Sequence, residues 1–165
     1  GHCIPIDPHY LSWKLKTLNY NARFIELAGE INSQMPGYVV DLCSDALNNA
    51  KKAINGSRIL VLGVAYKKDV DDCRESPALD IIELLSGRGG DVCYSDPHVP
   101  QVQVDGETLE SLPCDEDQLR SADLVVVATD HSAFDPSLIS SAAALVVDAR
   151  NLLKEHPDPK RIVKL

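Results

Sequence analysis

Apolar residues recur at three- and four-residue intervals through the first third of the chain, a pattern typical of amphipathic helices. The opening residues 1–8 are rich in turn formers. Asp7 followed by Pro8 has the form of an N-cap and a first helical position. We therefore expect a loop at the start of the chain and a short helix from Pro8 to about Leu18.

A longer helical pattern begins near Asn21. Because proline cannot donate a backbone hydrogen bond, Pro36 and the following Gly37 predict a kink or a restart of this helix. Asn55 and Gly56 are expected to close it. Its apolar residues form a stripe along one face, and we expect this stripe to pack against a partner surface. The stripe consists of Phe24, Leu27, Ala28, Ile31, Met35, Val39, Leu42, Ala46 and Ala50.

From Ser57 onwards the pattern changes to short runs of valine, isoleucine and leucine bounded by turn residues, as in buried parallel strands. Strands are expected at 58–62, 92–95, 124–128 and 145–147, with an edge strand at 161–163. Helices are expected at 78–86, 115–121 and from Asp135 onwards. The predicted fold class is α/β: a helical amino-terminal segment (1–55) followed by a small doubly wound, Rossmann-like parallel sheet (56–165).

Composition narrows the class of protein. With 165 residues and a net charge of -9, the chain lacks the basic surface that nucleic-acid backbones require. Its apolar runs fall short of the roughly 20 residues that span a bilayer. Five widely spaced cysteines, without a C-x-x-C pair, indicate neither a disulfide framework nor a zinc site, and we expect a reducing cytoplasm. Because Gly1 stands in place of methionine, we expect an excised piece of a longer protein.

The first strand leads into a loop that carries Tyr66, Lys67 and Lys68. A dinucleotide cradle would show G-x-G-x-x-G here, and only Gly63 is present. Ligands of open α/β sheets bind beyond the carboxyl ends of the strands, so this loop is placed to hold phosphate by side-chain charge. The alternative is a solvated basic loop.

Two arginines follow strands at the same predicted edge of the sheet. Arg74 precedes a helix, where it could contact a phosphate or carboxylate; the alternative is a structural capping network with Glu75 and Ser76. Arg150 follows the fourth strand. Several basic residues at one edge of an acidic protein predict a shared anion site.

Cys3 is the candidate nucleophile, because it lies near a predicted helix start and four residues before Asp7. The alternative is an inert packed thiol, which is the interpretation that Cys43 and Cys93 receive. Because His2 is adjacent to Cys3, a Cys-His hydrolase is a further alternative, but no third residue that would orient the histidine is identifiable. The other four histidines show no metal spacing, so no metal is expected.

Five segments together resemble the UDP-glucose/GDP-mannose dehydrogenase family. They are GHCIPIDPHYL, GVAYKKDVDDCRESPALDI, YSDP, ADLVVVATDHSAF and VVDARNLL, and they stand in the family's order over essentially the whole chain. The resemblance implies an enzyme that oxidises the C6 alcohol of a nucleotide sugar to a carboxylate with two NAD+. It also implies that this chain is the carboxy-terminal part and binds the UDP portion of the substrate.

Residue roles follow from the same resemblance. Cys3 matches the nucleophile that carries a thiohemiacetal and then a thioester, and Asp7 matches the carboxylate that assists water and proton transfer. Lys67, next to the aromatic Tyr66, matches the lysine that contacts the substrate's phosphate or sugar. Arg150 matches an arginine that binds the nucleotide sugar, and Arg74 one near the NAD side of the cleft.

The resemblance also sets the expected assembly and its limits. Residues 22–54 look like the family's central dimerisation helix, which implies a homodimer. Ile6 stands where UDP-glucose enzymes commonly carry lysine, which shifts the expected substrate to UDP-N-acetylglucosamine or UDP-N-acetylmannosamine. The family's NAD-binding domain is absent from this chain, so we expect the chain alone to be inactive. The alternative is a noncatalytic nucleotide-binding and dimerisation module.

Overall fold

The computed structural model describes residues 3–165, and for Ile4 and Pro5 it describes the backbone alone. The expectations for Gly1 and His2 lie outside these residues. The chain divides into two compact units, Gly1–Met35 and Pro36–Leu165.

The first unit contains α1 (Cys3–Lys16) and the start of α2 (Arg23–Asn49). The expected opening loop with an N-cap at Asp7 is wrong, because the helix already begins at Cys3 and runs through Pro8. An interior proline removes one backbone hydrogen bond and strains the preceding turn, yet here the helix continues through it. Asp7 therefore lies one turn after Cys3 on the same side of α1.

Contacts between α1 and the start of α2 are mainly polar. The hydroxyl of Ser12 donates to Glu26 at 3.0 Å, and the Lys16 ammonium lies 2.6 Å from the same carboxylate. The His9 ring occupies the space above Gly29, where a Cβ would lie only 2.2 Å from the ring. A larger residue at position 29 would displace this ring.

α2 is a single helix of 27 residues, so the expected restart at Pro36 and Gly37 is wrong. Its expected end at Asn55 and Gly56 is also wrong, because α2 ends at Asn49. Lys51 adopts a left-handed conformation (φ 59°), and the N–H of Lys52 bonds the carbonyl of Leu47 at 2.9 Å. This is the hydrogen bond of a Schellman cap, formed here without glycine.

The second unit is built on a five-stranded parallel sheet with the order β2-β1-β5-β6-β7. The predicted fold class is confirmed. Each predicted strand and helix of the sheet domain is present within one or two residues. The elements are β1 (Arg58–Leu62), α3 (Pro77–Gly87), β2 (Asp91–Ser95), β3 (Gln101–Val104), β4 (Glu107–Glu110), α4 (Glu116–Ser121), β5 (Leu124–Val127), α5 (Pro136–Ala142), β6 (Val146–Asp148) and β7 (Ile162–Lys164).

Alternate residues of the buried strands face two separate hydrophobic cores. Ile59 and Val61 of β1 pack with α3 and with the carboxy-terminal half of α2. Leu60 and Leu62 of the same strand pack on the other side with α4 and α5. Helices thus cover both faces of the sheet, which is the physical meaning of a doubly wound fold.

An antiparallel hairpin formed by β3 and β4 was not expected from the sequence. Its turn is Asp105–Gly106, and both residues have positive φ (49° and 81°). Asp-Gly between residues of alternating polarity is a strong signal for such a turn. The hairpin could therefore have been predicted from the segment VQVDGETL, although its strands are not the apolar runs typical of buried parallel strands.

Among the described residues, the helices are too short or too polar to cross a bilayer.

Candidate functional site

The strand order creates a crevice at the carboxyl edge of the sheet. Counting only the parallel strands, the order is 2-1-3-4-5, so successive strands are added on opposite sides of β1 and the strand order reverses between β1 and β5. Ligands of doubly wound sheets bind at this switch point, beyond the strand ends. The loops that follow β1, β5 and β6 therefore frame the candidate site.

The loop after β1 passes very close to the loop after β5. Gly63 has φ +80°, and a Cβ added there would lie 2.6 Å from both the Cβ and the carbonyl oxygen of Thr129. The Thr129 hydroxyl donates to the carbonyl of Ala65 at 2.7 Å. Glycine is thus needed for the close approach of these loops rather than for a phosphate cradle.

The buried carboxylate of Asp96, just after β2, organises this loop. One carboxylate oxygen accepts from the N–H groups of Val64 (2.7 Å) and Ala65 (3.1 Å). The other accepts from the N–H groups of His98 and Val99, at 2.8 and 3.1 Å. Burial alone would raise the pKa of Asp96, but the backbone N–H donors outweigh it and hold the pKa below its ordinary value.

The loop after β1 that carries the two lysines, residues 63–69, is called the lysine loop below. His131 links Asp96 to Asp69 at its far end. Its Nε2 lies 3.0 Å from the Asp96 carboxylate, and its Nδ1 accepts from the N–H of Asp69 at 3.0 Å. The Asp69 carboxylate accepts in turn from the N–H and hydroxyl of Ser132, at 2.8 and 2.7 Å, and these bonds lower its pKa. Lys67 and Lys68, immediately before Asp69, extend into solvent.

The loop that carries Arg150 is organised by a second buried carboxylate. Asp148, the last residue of β6, accepts from the N–H groups of Arg150 (3.1 Å), Leu152 (3.1 Å) and Leu153 (2.8 Å). The Arg150 guanidinium is half-exposed, and its Nε lies 3.5 Å from the carboxylate of Asp130.

Lys67 and Arg150 therefore lie at the same edge of the sheet. The lysine loop is bonded to Ser132 and Arg150 is paired with Asp130, so both contact the loop after β5. β1 and β6 flank β5, which separates their ends by about 10 Å. A diphosphate could bridge a distance of this order between two flexible basic side chains.

A cavity of about 390 Å³ opens on the α4 and α5 side of the same edge. None of the predicted site residues lines this cavity. The lining residues are Ser95, Asp96, Pro97, Ser111, Leu112, Pro113, Cys114, Ala133 and Phe134.

Comparison with known proteins identifies the family of the sheet domain. Residues 60–155 match the UDP binding domain of the UDP-glucose/GDP-mannose dehydrogenase family. The chain belongs to this family. A curated UDP-N-acetyl-D-mannosamine dehydrogenase of Methanococcus maripaludis is 37% identical over 165 residues. That match covers 94% of this chain and 35% of the relative.

Solved structures of the family have the same fold. The UDP-D-ManNAc dehydrogenase of Pyrococcus horikoshii superposes with a TM-score of 0.81 at 31% identity, over 99% of this chain and 38% of that one. An NDP-N-acetyl-D-galactosaminuronic acid dehydrogenase of Methanosarcina mazei superposes with a TM-score of 0.79 at 27% identity, over 100% and 37%. The chain thus spans little more than a third of the length of its relatives.

The UDP-binding domain does not fit an NAD pyrophosphate at its first loop. In a dinucleotide cradle, free backbone N–H groups after β1 meet the phosphates. Here the N–H groups of Val64 and Ala65 are bonded to the Asp96 carboxylate. These two N–H groups are therefore not available to a phosphate, whereas the two lysine side chains of the loop are exposed.

Arg74, the residue predicted to lie near the cofactor, forms a bidentate pair with Asp72. Its Nε and a terminal nitrogen lie 2.9 and 2.7 Å from the two carboxylate oxygens, and the pair is well exposed on the arginine side. The predicted capping network is only partly present, since Ser76 caps α3 without a bond from Arg74 or Glu75 among the described contacts.

Cys3 and Asp7 lie in the first unit, both exposed on α1. Burial raises the pKa of Cys43 to about 12 and also that of Cys93 above its ordinary value, which agrees with the interpretation of both as inert thiols. Cys114, which lines the cavity, is a similar case, because burial raises the pKa of its thiol to about 11.

Sequence reasoning missed the side chains that hold the site together. Asp96, His131 and Asp148 are all at most 5% exposed, and each bonds the backbone of a loop that carries a predicted ligand contact. The sequence did contain one signal for them: a polar residue directly after an apolar strand segment lies at the carboxyl edge of the sheet. Asp148 and Asp96 both satisfy that rule.

Replacing Asp96 with asparagine is expected to lower the free energy of unfolding by about 2–4 kcal/mol, because the amide turns a donor towards backbone N–H groups. Asp41→Asn is the matched control. Its carboxylate pairs with Arg88 at 3.0 Å on the surface, so the loss should stay below about 1 kcal/mol. Urea titration measures both.

The same pair of variants tests the pH dependence. A carboxyl whose pKa is lowered on folding stabilises the protein above its unfolded pKa of about 3.9, and this stabilisation is lost as the pH falls through the lower folded value. Below about pH 4 the wild type should therefore lose more stability than Asp96→Asn. Parallel pH profiles would contradict the role of the Asp96 carboxylate.

Proposed function

We propose that the carboxyl edge of the sheet binds the diphosphate and nucleoside of a UDP-sugar through Lys67, Arg150 and Tyr66. The observation that carries this proposal is that both residues belong to loops held by the loop after β5. Asp69, two residues after Lys67, bonds Ser132, and Arg150 pairs with Asp130. The match of residues 60–155 to a UDP-binding domain supports the choice of nucleotide.

Side-chain charge is the proposed source of phosphate affinity. Asp96 occupies the first two backbone donors of this loop, those of Val64 and Ala65, so the flexible ammonium of Lys67 and the planar guanidinium of Arg150 supply the positive charge. The protein as a whole is acidic, so this attraction is confined to the site. Tyr66 is half-buried beside Lys67 and offers a ring for packing against the ligand.

Lys67→Ala and Arg150→Ala are each expected to weaken UDP binding by about tenfold or more, the cost of one charged hydrogen bond. Lys68→Ala is the matched control, since it removes the same charge from the adjacent position and should change affinity by less than about threefold. Titration calorimetry with UDP measures all three. Absence of UDP binding to the unaltered chain at millimolar concentration would contradict the proposal.

The whole protein is proposed to be an NAD-dependent dehydrogenase that oxidises the C6 alcohol of UDP-N-acetylmannosamine or UDP-N-acetylglucosamine. Relatives named UDP-N-acetyl-D-mannosamine dehydrogenase, at 37% and 35% identity, support the first of these substrates. NAD+ supplies the hydride acceptor for both oxidations when it is bound. Its main binding site is proposed to lie outside this chain, with Arg74 near it, in keeping with the occupied backbone of the first loop.

Cys3 is proposed to hold the substrate between the two oxidations. Its thiolate adds to the C6 aldehyde, forming a C–S bond while the carbonyl oxygen takes a proton, and loss of hydride with that proton gives the thioester. Water then attacks the thioester carbon, the C–S bond breaks, and the thiolate returns. Asp7, one helical turn away, would accept the proton of this water.

Cys3→Ser in the full-length protein is expected to reduce formation of the uronate by at least about a thousandfold, as loss of a nucleophile does elsewhere, with UDP affinity unchanged. Cys73→Ser is the control, because that thiol is half-buried in the UDP-binding domain. Full activity of Cys3→Ser would refute the covalent step. A full-length protein that binds UDP and oxidises no UDP-sugar would instead favour a noncatalytic binding module.

A second copy of the chain is the proposed partner of the helical segment 22–54. The start of α2 exposes the apolar side chains of Phe24, Leu27 and Ile31, and Phe24 is 89% exposed. α1 adds Tyr10 and Trp13, both more than half exposed. So large an apolar surface on one unit is typical of an interface.

Phe24→Glu with Ile31→Glu is expected to convert a dimer to a monomer, because two charges from each protomer would be desolvated at the interface. Leu84→Glu is the control, since Leu84 is an exposed apolar residue of α3 (40% exposed) outside that segment. Analytical ultracentrifugation at micromolar concentration distinguishes the states. A monomeric wild-type chain would contradict the proposal.

A further inference from the structure

His131 is buried at the centre of the site and is not accounted for by the proposed binding contacts. Its side chain is 0% exposed and touches groups from three different loops. Nδ1 faces the N–H of Asp69, and Nε2 faces the carboxylate of Asp96, each at 3.0 Å. The rings of His98 and Phe134 pack against it, with centroids 4.9 and 5.5 Å away.

The hydrogen bonds fix the tautomer of this imidazole. A backbone N–H can only donate, so Nδ1 carries a lone pair towards Asp69. The ring proton is then on Nε2, where it is donated to Asp96. His131 thus acts as a neutral bridge from a buried carboxylate to the residue that ends the lysine loop.

A metal site would need the same lone pair. Ligand atoms of Asp69, His98 and His131 lie within 4.8 Å of one another, a spacing compatible with a cation. However, Nδ1 is committed to the Asp69 N–H and Nε2 to Asp96. Metal binding would have to break one of these buried hydrogen bonds.

The lysine loop depends on this bridge at its outer end. Its inner end is held by Asp96 at Val64 and Ala65, and the backbone N–H of Tyr66 donates to the carbonyl of Asp72 at 2.8 Å. Asp69 has a left-handed conformation (φ 58°), which is unfavourable for a residue other than glycine unless contacts hold it. Those contacts are His131 at its N–H and Ser132 at its carboxylate.

We propose that His131, as the Nε2–H tautomer, is a positioning residue that fixes the Asp69 end of the lysine loop and thereby aims Lys67 at the substrate diphosphate. This inference rests on the proposed role of Lys67. It assigns His131 an effect on phosphate affinity without any contact to the ligand.

Two substitutions separate the two bonds of the ring. His131→Asn keeps an acceptor near the position of Nδ1 and loses the bond to Asp96, whereas His131→Gln keeps a donor near Nε2 and loses the acceptor for Asp69. We expect His131→Gln to weaken UDP binding by roughly three- to tenfold, the equivalent of one hydrogen bond, and His131→Asn to stay within about twofold of wild type. Equal losses in both variants would overturn the proposal.

A double-mutant cycle shows whether His131 acts through Lys67. In a Lys67→Ala background, His131→Gln should have almost no further effect on UDP affinity, whereas in an Arg150→Ala background it should keep its full effect. A full effect in both backgrounds would overturn the proposal and indicate a general loss of structure. If Lys67→Ala alone leaves UDP affinity unchanged, the proposed function of that lysine fails and the inference about phosphate fails with it.

Two ligand-free measurements on the 165-residue chain test the bridge itself. Nitrogen NMR of the wild type should show His131 as the Nε2–H tautomer, and equimolar Zn²⁺ should leave its signals in place. Amide exchange at Asp69 should accelerate about tenfold in His131→Gln, with Val64 and Ala65 unchanged. A proton on Nδ1, or Zn²⁺ binding at His131 and His98, would overturn the assignment even if every variant failed to fold.

Discussion

The carboxylate of Asp96 is the constraint on which the carboxyl edge of this sheet depends. It lies buried after β2, and it bonds two N–H groups of the loop after β1, two of its own turn, and His131 of the loop after β5. A buried charge is costly unless donors surround it. Here five donors from three segments converge on two oxygens, so the charge ties together loops that hydrophobic packing alone would leave free to move. The loops can then be exposed and still be ordered.

This arrangement decides how the edge can hold an anion. In dinucleotide-binding sheets the backbone N–H groups after the first strand remain available for phosphate. Asp96 occupies them in this chain, and Asp148 does the same for the loop after β6. Both aspartates thus replace an external anion with an internal one. The exposed basic side chains that the two loops carry, Lys67 and Arg150, are therefore the proposed contacts with a ligand.

The sheet could be predicted from the sequence because each strand is a short apolar run bounded by turn residues, as in β1 and β5. Ser76 and Asp135 gave the starts of α3 and α5 for the same local reason, since their side chains cap the helices. The predictions of a helix start at Pro8 and of a restart at Pro36 were wrong, because both helices continue through the proline. The Asp105–Gly106 hairpin was within reach of local rules. The bridge from Asp96 through His131 to Asp69 was not, because its three residues come from separate loops that only the folded sheet brings together.

Local sequence patterns also do not show what packs against α2. Its apolar stripe is continuous in the sequence but lies in two different environments in the structure. Val39 and Ala46 are buried in the core of the sheet unit and Leu42 packs against it, whereas Phe24, Leu27 and Ile31 are exposed. Helical periodicity reports that a face is apolar and carries no information about what covers it. Since half of the stripe is covered by the chain's own sheet, only the exposed half is available to a partner. The proposed interface on α2 would therefore centre on residues 24–31, a shorter segment than the sequence pattern suggests.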